Sequence, residues 1–168
     1  MFQERITALS SILEEGQAAL ITSGVNRLYF TGFNSSAGTV LITKSSAFLI
    51  IDFRYFEKAK ATVKHMQVIL QEKLFDQITE ILKKENINTV LVESDSVTIS
   101  LYSRFCKELP DFNISKEDIL SRKIESLRSI KSSEELKLIK KSQALTDMTF
   151  SYILDRISEG RTEKEVML

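Results

Sequence analysis

The sequence has little of several residue types on which catalytic and cross-linked sites depend. Its 168 residues include one Cys, one His, one Pro, five Gly and no Trp. Cys106 cannot form an internal disulfide, and one Cys with one His cannot supply the three or four ligands of a zinc site. These absences exclude a scaffold held by disulfides and favour a reducing compartment, the cytoplasm.

Charge of one sign and long apolar runs are also missing. The 23 Lys and Arg residues balance 23 Asp and Glu residues, so no excess of positive charge indicates a nucleic-acid or anionic membrane partner. No run approaches the roughly 18 apolar residues that span a bilayer. Charged residues also interrupt the beginning of the chain, where a signal peptide has an apolar core. We therefore expect neither a nucleic-acid partner nor a membrane partner.

Short apolar segments predict an α/β fold. Six of them have strand length: Ala18–Thr22, Thr39–Thr43, Ala47–Asp52, Met66–Leu70, Thr89–Val92 and Phe112–Ile114. The second and third flank a short polar turn, which is typical of an antiparallel hairpin. From Met66 onward strands alternate with helical patterns, as in crossover units on a largely parallel sheet. The sequence thus predicts a mixed central sheet of about six strands, partly antiparallel and partly parallel, flanked by helices.

Apolar residues at helical spacing predict helices over Phe2–Glu15, Phe53–Lys64, Leu74–Lys84 and Thr98–Glu108. The residues between the first two strands contain Gly24 and Asn26 and are interpreted as a loop with a short apolar run.

A long helix is predicted in the last quarter of the chain. Ser132 and Glu135 have the spacing of a capping box, and the helix that they begin could run for about 25 residues until Gly160 ends it. Thr162 and Glu165 form a second capping box, and the sequence stops soon afterwards. We therefore expect a truncated chain, with residues 1–128 as one domain and residues 129–168 as a linker helix and the start of a second domain.

Few side chains suggest chemistry. His65 has no nucleophile or orienting group near it in the sequence, and Cys106 has no cationic cluster, so both are interpreted as structural, Cys106 as a buried thiol. The loop Thr31–Gly38 lacks the Lys-Ser/Thr of a phosphate-binding loop and leads into a strand. It is interpreted as a structured loop, or as one presented to a partner's cleft. Asp52 and Arg54 could orient a substrate or form a buried pair, and the pairing is favoured.

Three groups of motifs carry a family resemblance. Asn26–Phe33, Ser36–Thr43 and Leu49–Tyr55 resemble the pattern N-x-x-Y-L-T-G-F, S-x-G-x-x-L-I-T, L-I-T-D-G-R-Y, with Phe53 in place of the usual Gly. Leu127–Leu136 and Glu159–Val166 match further along. In order and spacing, these motifs resemble the amino-terminal domain of Xaa-Pro aminopeptidases and prolidases, the creatinase-like family.

The resemblance implies an amino-terminal domain of the creatinase/prolidase type, followed by a linker helix into an absent "pita-bread" catalytic domain. The full-length protein would be a metallopeptidase that hydrolyses the Xaa-Pro peptide bond with a water activated by two divalent ions, Mn, Co or Zn. In this family two Asp, two Glu and a His of the carboxyl-terminal domain hold those ions. None of these motifs occurs here, so the resemblance implies no catalytic residue, no metal ligand and no cofactor in this chain, which would be inactive alone.

The resemblance also implies partners and a candidate surface. In such enzymes the amino-terminal domain contacts its own catalytic domain, helps to form a homodimer and lends loops to the cleft that binds the proline-containing peptide. Carried onto this chain, the candidate residues are Phe33, Asn34, Ser35, Ser36, Asp52, Arg54 and Tyr55. The alternative is a free-standing interaction or regulatory module without peptidase activity. An aminopeptidase, a dipeptidase and a creatinase-like enzyme all remain open.

Overall fold

The computed structural model describes residues 2–167 and contains a six-stranded mixed sheet. Its strands are β1 (Gln17–Ile21), β2 (Thr39–Ile42), β3 (Ala47–Ile51), β4 (Gln67–Leu70), β5 (Thr89–Val92) and β6 (Asn113–Ser115). They lie in the order β4-β3-β2-β1-β5-β6. β2 runs antiparallel to both of its neighbours, and every other neighbouring pair is parallel. The predicted mixed sheet and its hairpin are therefore confirmed.

Helices cover both faces of this sheet. They are α1 (Phe2–Ser10), α2 (Gly24–Thr31), α3 (Phe53–Thr62), α4 (Leu74–Lys84), α5 (Ile99–Glu108) and α6 (Ile119–Ser129). The first three and α6 contribute to the apolar cluster on one face, and α4 and α5 contribute to the cluster on the other. Within residues 2–167 no helix is both long enough and apolar enough to cross a membrane.

Burial on both faces explains why the strands appear in the sequence as unbroken apolar runs. In β1, Ala18 and Leu20 belong to the cluster under α4 and α5, whereas Ala19 and Ile21 belong to the opposite cluster. All four are completely buried. A strand covered by helices on both sides needs apolar residues at every position, so it lacks the alternation of a half-exposed strand.

The segment interpreted as a loop between the first two strands is a helix, α2, and that prediction was wrong. Ser23 caps it by accepting a hydrogen bond from the Asn26 backbone N–H, and Gly32 ends it in the left-handed conformation with φ +66°. A Cβ at Gly32 would be strained by this φ and would lie 2.4 Å from the Phe2 ring, so the position favours glycine. Part of the inward face of α2 is polar, because Asn26 and Arg27 are both buried. An apolar stripe was therefore too weak to reveal it.

Three other expectations need correction. The first helix ends at Ser10 instead of Glu15, and turns follow it. The long helix ends at Leu154, so Gly160, with φ +87°, lies beyond it in a later turn. Cys106 is exposed, not buried, because α5 turns Phe105 toward the core and its neighbour consequently points outward.

The chain divides into two compact units, Met1–Ser129 and Ile130–Leu168. The second unit contains α7 (Ser133–Leu154) and α8 (Glu163–Met167). The capping box at Ser132 and Glu135 is present, and Thr162 and Glu165 exchange hydrogen bonds in the same manner. Neither helix has a buried residue, so the buried core of the described residues lies in the first unit.

A single buried carboxylate joins three elements of the first unit. Glu93 follows β5 and is completely buried. Its oxygens accept hydrogen bonds from the backbone N–H groups of Thr22 (2.6 Å) and Ser23 (2.9 Å). They also accept from the Ser23 hydroxyl and the Asn26 side-chain amide, each at 2.7 Å. Glu93 thus ties the carboxyl end of β5 to the end of β1 and the start of α2.

The position of Glu93 has a further meaning in an α/β sheet. β1 and β5 are parallel neighbours. The helices that follow them, α2 and α5, pack on opposite faces of the sheet. The crevice between two such strand ends is where α/β folds commonly bind ligands, with an anion at the helix N-terminus. Here the protein's own carboxylate occupies that place at the N-terminus of α2.

A second carboxylate fixes the hairpin turn to α4. Glu85 follows the last residue of α4 and accepts hydrogen bonds from the hydroxyls of Ser45 (2.5 Å), Thr43 (3.1 Å) and Ser46 (3.1 Å). These bonds, with that from Ser45 the largest cause, hold the pKa of Glu85 below its ordinary value. The ionised form of Glu85 therefore stabilises the contact between α4 and the turn.

Replacing Glu93 tests its role in the fold. We expect Glu93→Ala to lower the free energy of unfolding by about 3 kcal/mol or more, because several buried donors lose their acceptor and Arg27 loses a neighbouring negative charge. Glu93→Gln should lose less, since it keeps one acceptor oxygen. Urea unfolding of the 168-residue chain measures both. Glu117→Ala, at an exposed acid, is the matched control and should change stability by less than about 0.5 kcal/mol. Equal losses in Glu93→Ala and the control would contradict the role.

The lowered pKa of Glu85 predicts a dependence on pH. Its contribution to stability is fully present above the ordinary Glu pKa of 4.5 and disappears as the pH falls through the lower pKa of the folded state. Glu85→Gln should therefore be less stable than the unchanged chain at pH 7, by less than about 1 kcal/mol at this partly solvated site. The difference should shrink as the pH falls to about 3. Urea unfolding at both pH values measures this, with Glu80→Gln on the same helix as the control. A difference that is constant with pH would contradict the assignment.

Candidate functional site

The loop after α2 and the first turn of α3 meet at one surface. We call this the loop-helix surface and define it by the residues that the sequence resemblance selects: Phe33, Asn34, Ser35, Ser36, Asp52, Arg54 and Tyr55. The hydroxyls of Ser36 and Tyr55 are 2.9 Å apart. The rings of Phe33 and Tyr55 pack edge to face, with centroids 6.3 Å apart. Residues about 20 positions apart in the sequence are thus in direct contact.

The backbone of this loop is held from inside the protein. The Thr31 hydroxyl accepts a hydrogen bond from the Phe33 N–H at 3.0 Å and donates one to the Arg27 carbonyl at 2.7 Å. Arg27 Nη2 donates to the Ser35 carbonyl at 3.0 Å, and its Nη1 donates to the Thr22 carbonyl. The Ser35 hydroxyl donates to the Ala37 carbonyl at 2.7 Å. Hydrogen bonds therefore hold the loop at Phe33, Ser35 and Ser36.

Arg27 is an unusual residue for this task, because its side chain is buried. Burial lowers the pKa of its guanidinium, and the negative charge of Glu93 partly offsets that effect. Its Nε is buried and has no hydrogen-bond partner in the described structure. Arg27 therefore connects the buried Glu93 network with the exposed loop.

Asp52 and Arg54 form an ion pair at the start of α3. Asp52 caps the helix by accepting a hydrogen bond from the Arg54 N–H at 3.0 Å, and Arg54 Nη2 lies 2.6 Å from Asp52 Oδ2. Hydrogen bonding by Arg54 lowers the pKa of Asp52, and Asp52 raises the pKa of Arg54. The pair has formed, but it is not buried, since more than half of the Arg54 side chain is exposed.

The chemical character of the loop-helix surface follows from these contacts. Asp52 stays ionised and is engaged by the helix start and by Arg54, so it is a poor general base. The hydrogen bond with Ser36 lowers the pKa of Tyr55. Phe53, between Asp52 and Arg54 in the sequence, has 79% of its surface exposed. The surface can therefore donate and accept neutral hydrogen bonds, and the described partners of its Ser35, Ser36 and Tyr55 hydroxyls include no general base.

The loop-helix surface contains neither a cluster of metal ligands nor the single His of the chain. Within residues 2–167 no group of three or more His, Cys, Asp and Glu side chains is placed to hold a metal ion. The described residues therefore do not fit the two-metal site that the resemblance implies for the full-length enzyme. His65 Nε2 lies 3.0 Å from the Phe30 carbonyl, and its ring stacks on Phe2. His65 also lines a cleft of about 370 Å³ between α1 and the hairpin.

Sequence reasoning missed the residues that support the loop from inside. Glu93 had one available signal, since it is a charged residue directly after an apolar strand. Asn26 and Arg27 stand within the first motif of the resemblance, but nothing in their spacing connects them with Glu93. Asn26 and its partner Glu93 are separated by 67 positions, whereas Arg27 donates to the nearby carbonyls of Thr22 and Ser35.

Comparison with protein families gives a match over most of the chain. The model of the Creatinase/Prolidase N-terminal domain matches residues 5–130. Among curated proteins, an uncharacterized peptidase of Bacillus subtilis, YqhT, is 34% identical over 145 residues, which are 86% of this chain and 40% of that protein. The chain thus spans less than half the length of this relative.

Solved structures agree with the fold. An Xaa-Pro dipeptidase from Bacillus anthracis has a TM-score of 0.89 at 31% identity and covers 99% of this chain, which corresponds to 46% of the dipeptidase chain. An Xaa-Pro aminopeptidase structure from Streptococcus pyogenes has a TM-score of 0.65 at 31% identity and covers 73% of this chain and 97% of its own. On the family match over residues 5–130, supported by these likenesses, this chain belongs to the Creatinase/Prolidase N-terminal domain family.

Proposed function

We propose that this chain is the non-catalytic amino-terminal part of a cytoplasmic Xaa-Pro peptidase. The family match over residues 5–130 carries the proposal. A similar solved structure is titled an Xaa-Pro dipeptidase, and this chain covers 46% of it. In the full-length protein, a second domain would hydrolyse the Xaa-Pro bond with a water activated by two divalent ions. The ligands of those ions would come from residues outside this chain.

The role proposed for residues 1–128 is to help form a dimer and to contribute the loop-helix surface to the substrate cleft. The loop carries hydrogen bonds to Thr31, Arg27 and Tyr55, so its conformation is set before any peptide arrives. An ordered loop loses little conformational entropy when it contacts a ligand. This supports a binding role more strongly than a mobile loop would.

Residues 129–168 are proposed to link this domain to the catalytic domain. Large apolar side chains of α7 are exposed, among them Leu138 (67%), Met148 (70%) and Phe150 (63%). Exposed apolar surface of this kind usually marks a contact with another protein surface. Docking on the catalytic domain would cover it.

The proposal is tested by comparing the complete gene product with the 168-residue chain. With added Mn²⁺, we expect the complete product to hydrolyse an Xaa-Pro dipeptide or the first bond of an Xaa-Pro tripeptide. It should leave the matching Xaa-Ala peptides and creatine intact. The 168-residue chain should be inactive on all of them, because its described residues include no cluster for a metal ion.

Two results would contradict the proposal. A complete product that cleaves no Xaa-Pro peptide with Mn²⁺, Co²⁺ or Zn²⁺ would favour the interaction or regulatory module. Hydrolysis by the 168-residue chain would place the active site within this chain, contrary to the proposal.

A further inference from the structure

The end of α6 is held by polar contacts with α2. Arg128 Nη1 donates a hydrogen bond to Asn26 Oδ1 at 3.1 Å, and the Tyr29 hydroxyl donates one to the Leu127 carbonyl at 3.2 Å. Ile124 is the last buried residue of α6, so apolar burial contributes less to the turn that follows it. Because helix ends fray unless they are held, we ascribe the order of this last turn largely to its contacts with α2.

Asn26 suits this place because its two side-chain groups serve partners of opposite kinds. Its amide nitrogen donates to Glu93 at 2.7 Å, and its oxygen accepts from Arg128. A carboxylate only accepts hydrogen bonds and a guanidinium only donates them, so the amide fits in one orientation. Asn26 is also buried, and a buried oxygen that loses its donor costs free energy. The bond from Arg128 therefore completes the network around Glu93.

The place of Arg128 in the chain gives this contact a further meaning. The first compact unit ends at Ser129, one residue after Arg128. Arg27, which follows Asn26 in α2, donates a hydrogen bond to the Ser35 carbonyl in the loop-helix surface. Two adjacent residues of α2 thus hold that loop and the point where the chain leaves the first unit.

We infer that Arg128 is a positioning residue of the complete enzyme, and that it acts through its bond to Asn26 by fixing the point where the chain leaves the amino-terminal domain. This inference rests on the proposed function, in which the second domain carries out the reaction and the loop-helix surface contributes to the cleft. A misplacement of about 1 Å far from the chemistry can lower a rate by about 100-fold. A loose end of α6 would therefore reduce catalysis although Arg128 does not touch the substrate.

Amide hydrogen exchange in the 168-residue chain tests the contact itself. Arg128→Leu removes the donor and leaves the hydrogen bonds of Glu93 in place. We expect the backbone amides of residues 126–129 to exchange about fivefold faster, which corresponds to the loss of about 1 kcal/mol. The matched control is Arg122→Leu on the same helix, where a surface ion pair with Asp118 is lost. Exchange of residues 126–129 should stay unchanged in the control.

Steady-state kinetics of the complete enzyme tests the positioning role. Because Arg128 is exposed, its substitution should not prevent folding, and urea unfolding verifies this. In the folded enzyme, Arg128→Leu should lower kcat/KM for an Xaa-Pro tripeptide by about fivefold to tenfold. Arg128→Lys keeps a charged donor that can reach Asn26 and should lose less. Arg122→Leu should change kcat/KM by less than about twofold.

The outcomes separate this inference from the proposed function. Unchanged exchange of residues 126–129 in Arg128→Leu would overturn the assignment of the contact. Faster exchange in a folded Arg128→Leu enzyme that keeps the kcat/KM of the unchanged protein would reveal a merely structural role, and the proposed function would stand. Equal losses of kcat/KM in Arg128→Leu and Arg122→Leu would also overturn the inference. A complete product that cleaves no Xaa-Pro peptide would overturn both.

Discussion

The buried carboxylate of Glu93 is the constraint on which the rest of the first unit depends. A buried charge costs several kcal/mol unless hydrogen bonds and an opposite charge compensate it. Glu93 accepts hydrogen bonds from two backbone N–H groups, a hydroxyl and an amide, and its negative charge acts to raise the pKa of the nearby Arg27 guanidinium. Meeting these requirements places the end of β1 beside the end of β5 and fixes where α2 begins.

Other features follow from this arrangement. α2 must turn Asn26 and Arg27 inward, which gives the helix a partly polar buried face. Asn26 then accepts a hydrogen bond from Arg128 at 3.1 Å, so the network reaches the last turn of α6. Arg27 carries it in the other direction, to the Ser35 carbonyl. One buried charge is thus connected both to the end of the first unit and to the loop proposed for substrate binding.

The sequence alone predicted the sheet well and the polar network poorly. Strands such as β1 and β2 were visible because burial on both faces demands unbroken apolar runs, and α4 because its apolar residues follow a regular helical spacing. α2 was missed because two of its buried residues are polar: Asn26 bonds Glu93, and Arg27 bonds the carbonyls of Thr22 and Ser35. The loop and the start of α3 were selected as a candidate site through the family resemblance. That Ser36 touches Tyr55 followed from the fold of the sheet, and no local pattern could indicate it.

The central claim is that a loop fixed by a buried network reaches the substrate of a complete Xaa-Pro peptidase. A crystal structure of the complete protein with a bound Xaa-Pro product tests it most directly. The claim predicts that Phe33–Ser36 contacts the product, with the hydrogen bonds of Arg27 and Thr31 to the loop retained. A product bound in a cleft to which Phe33–Ser36 contributes no atom, in its own subunit or a partner, would contradict it.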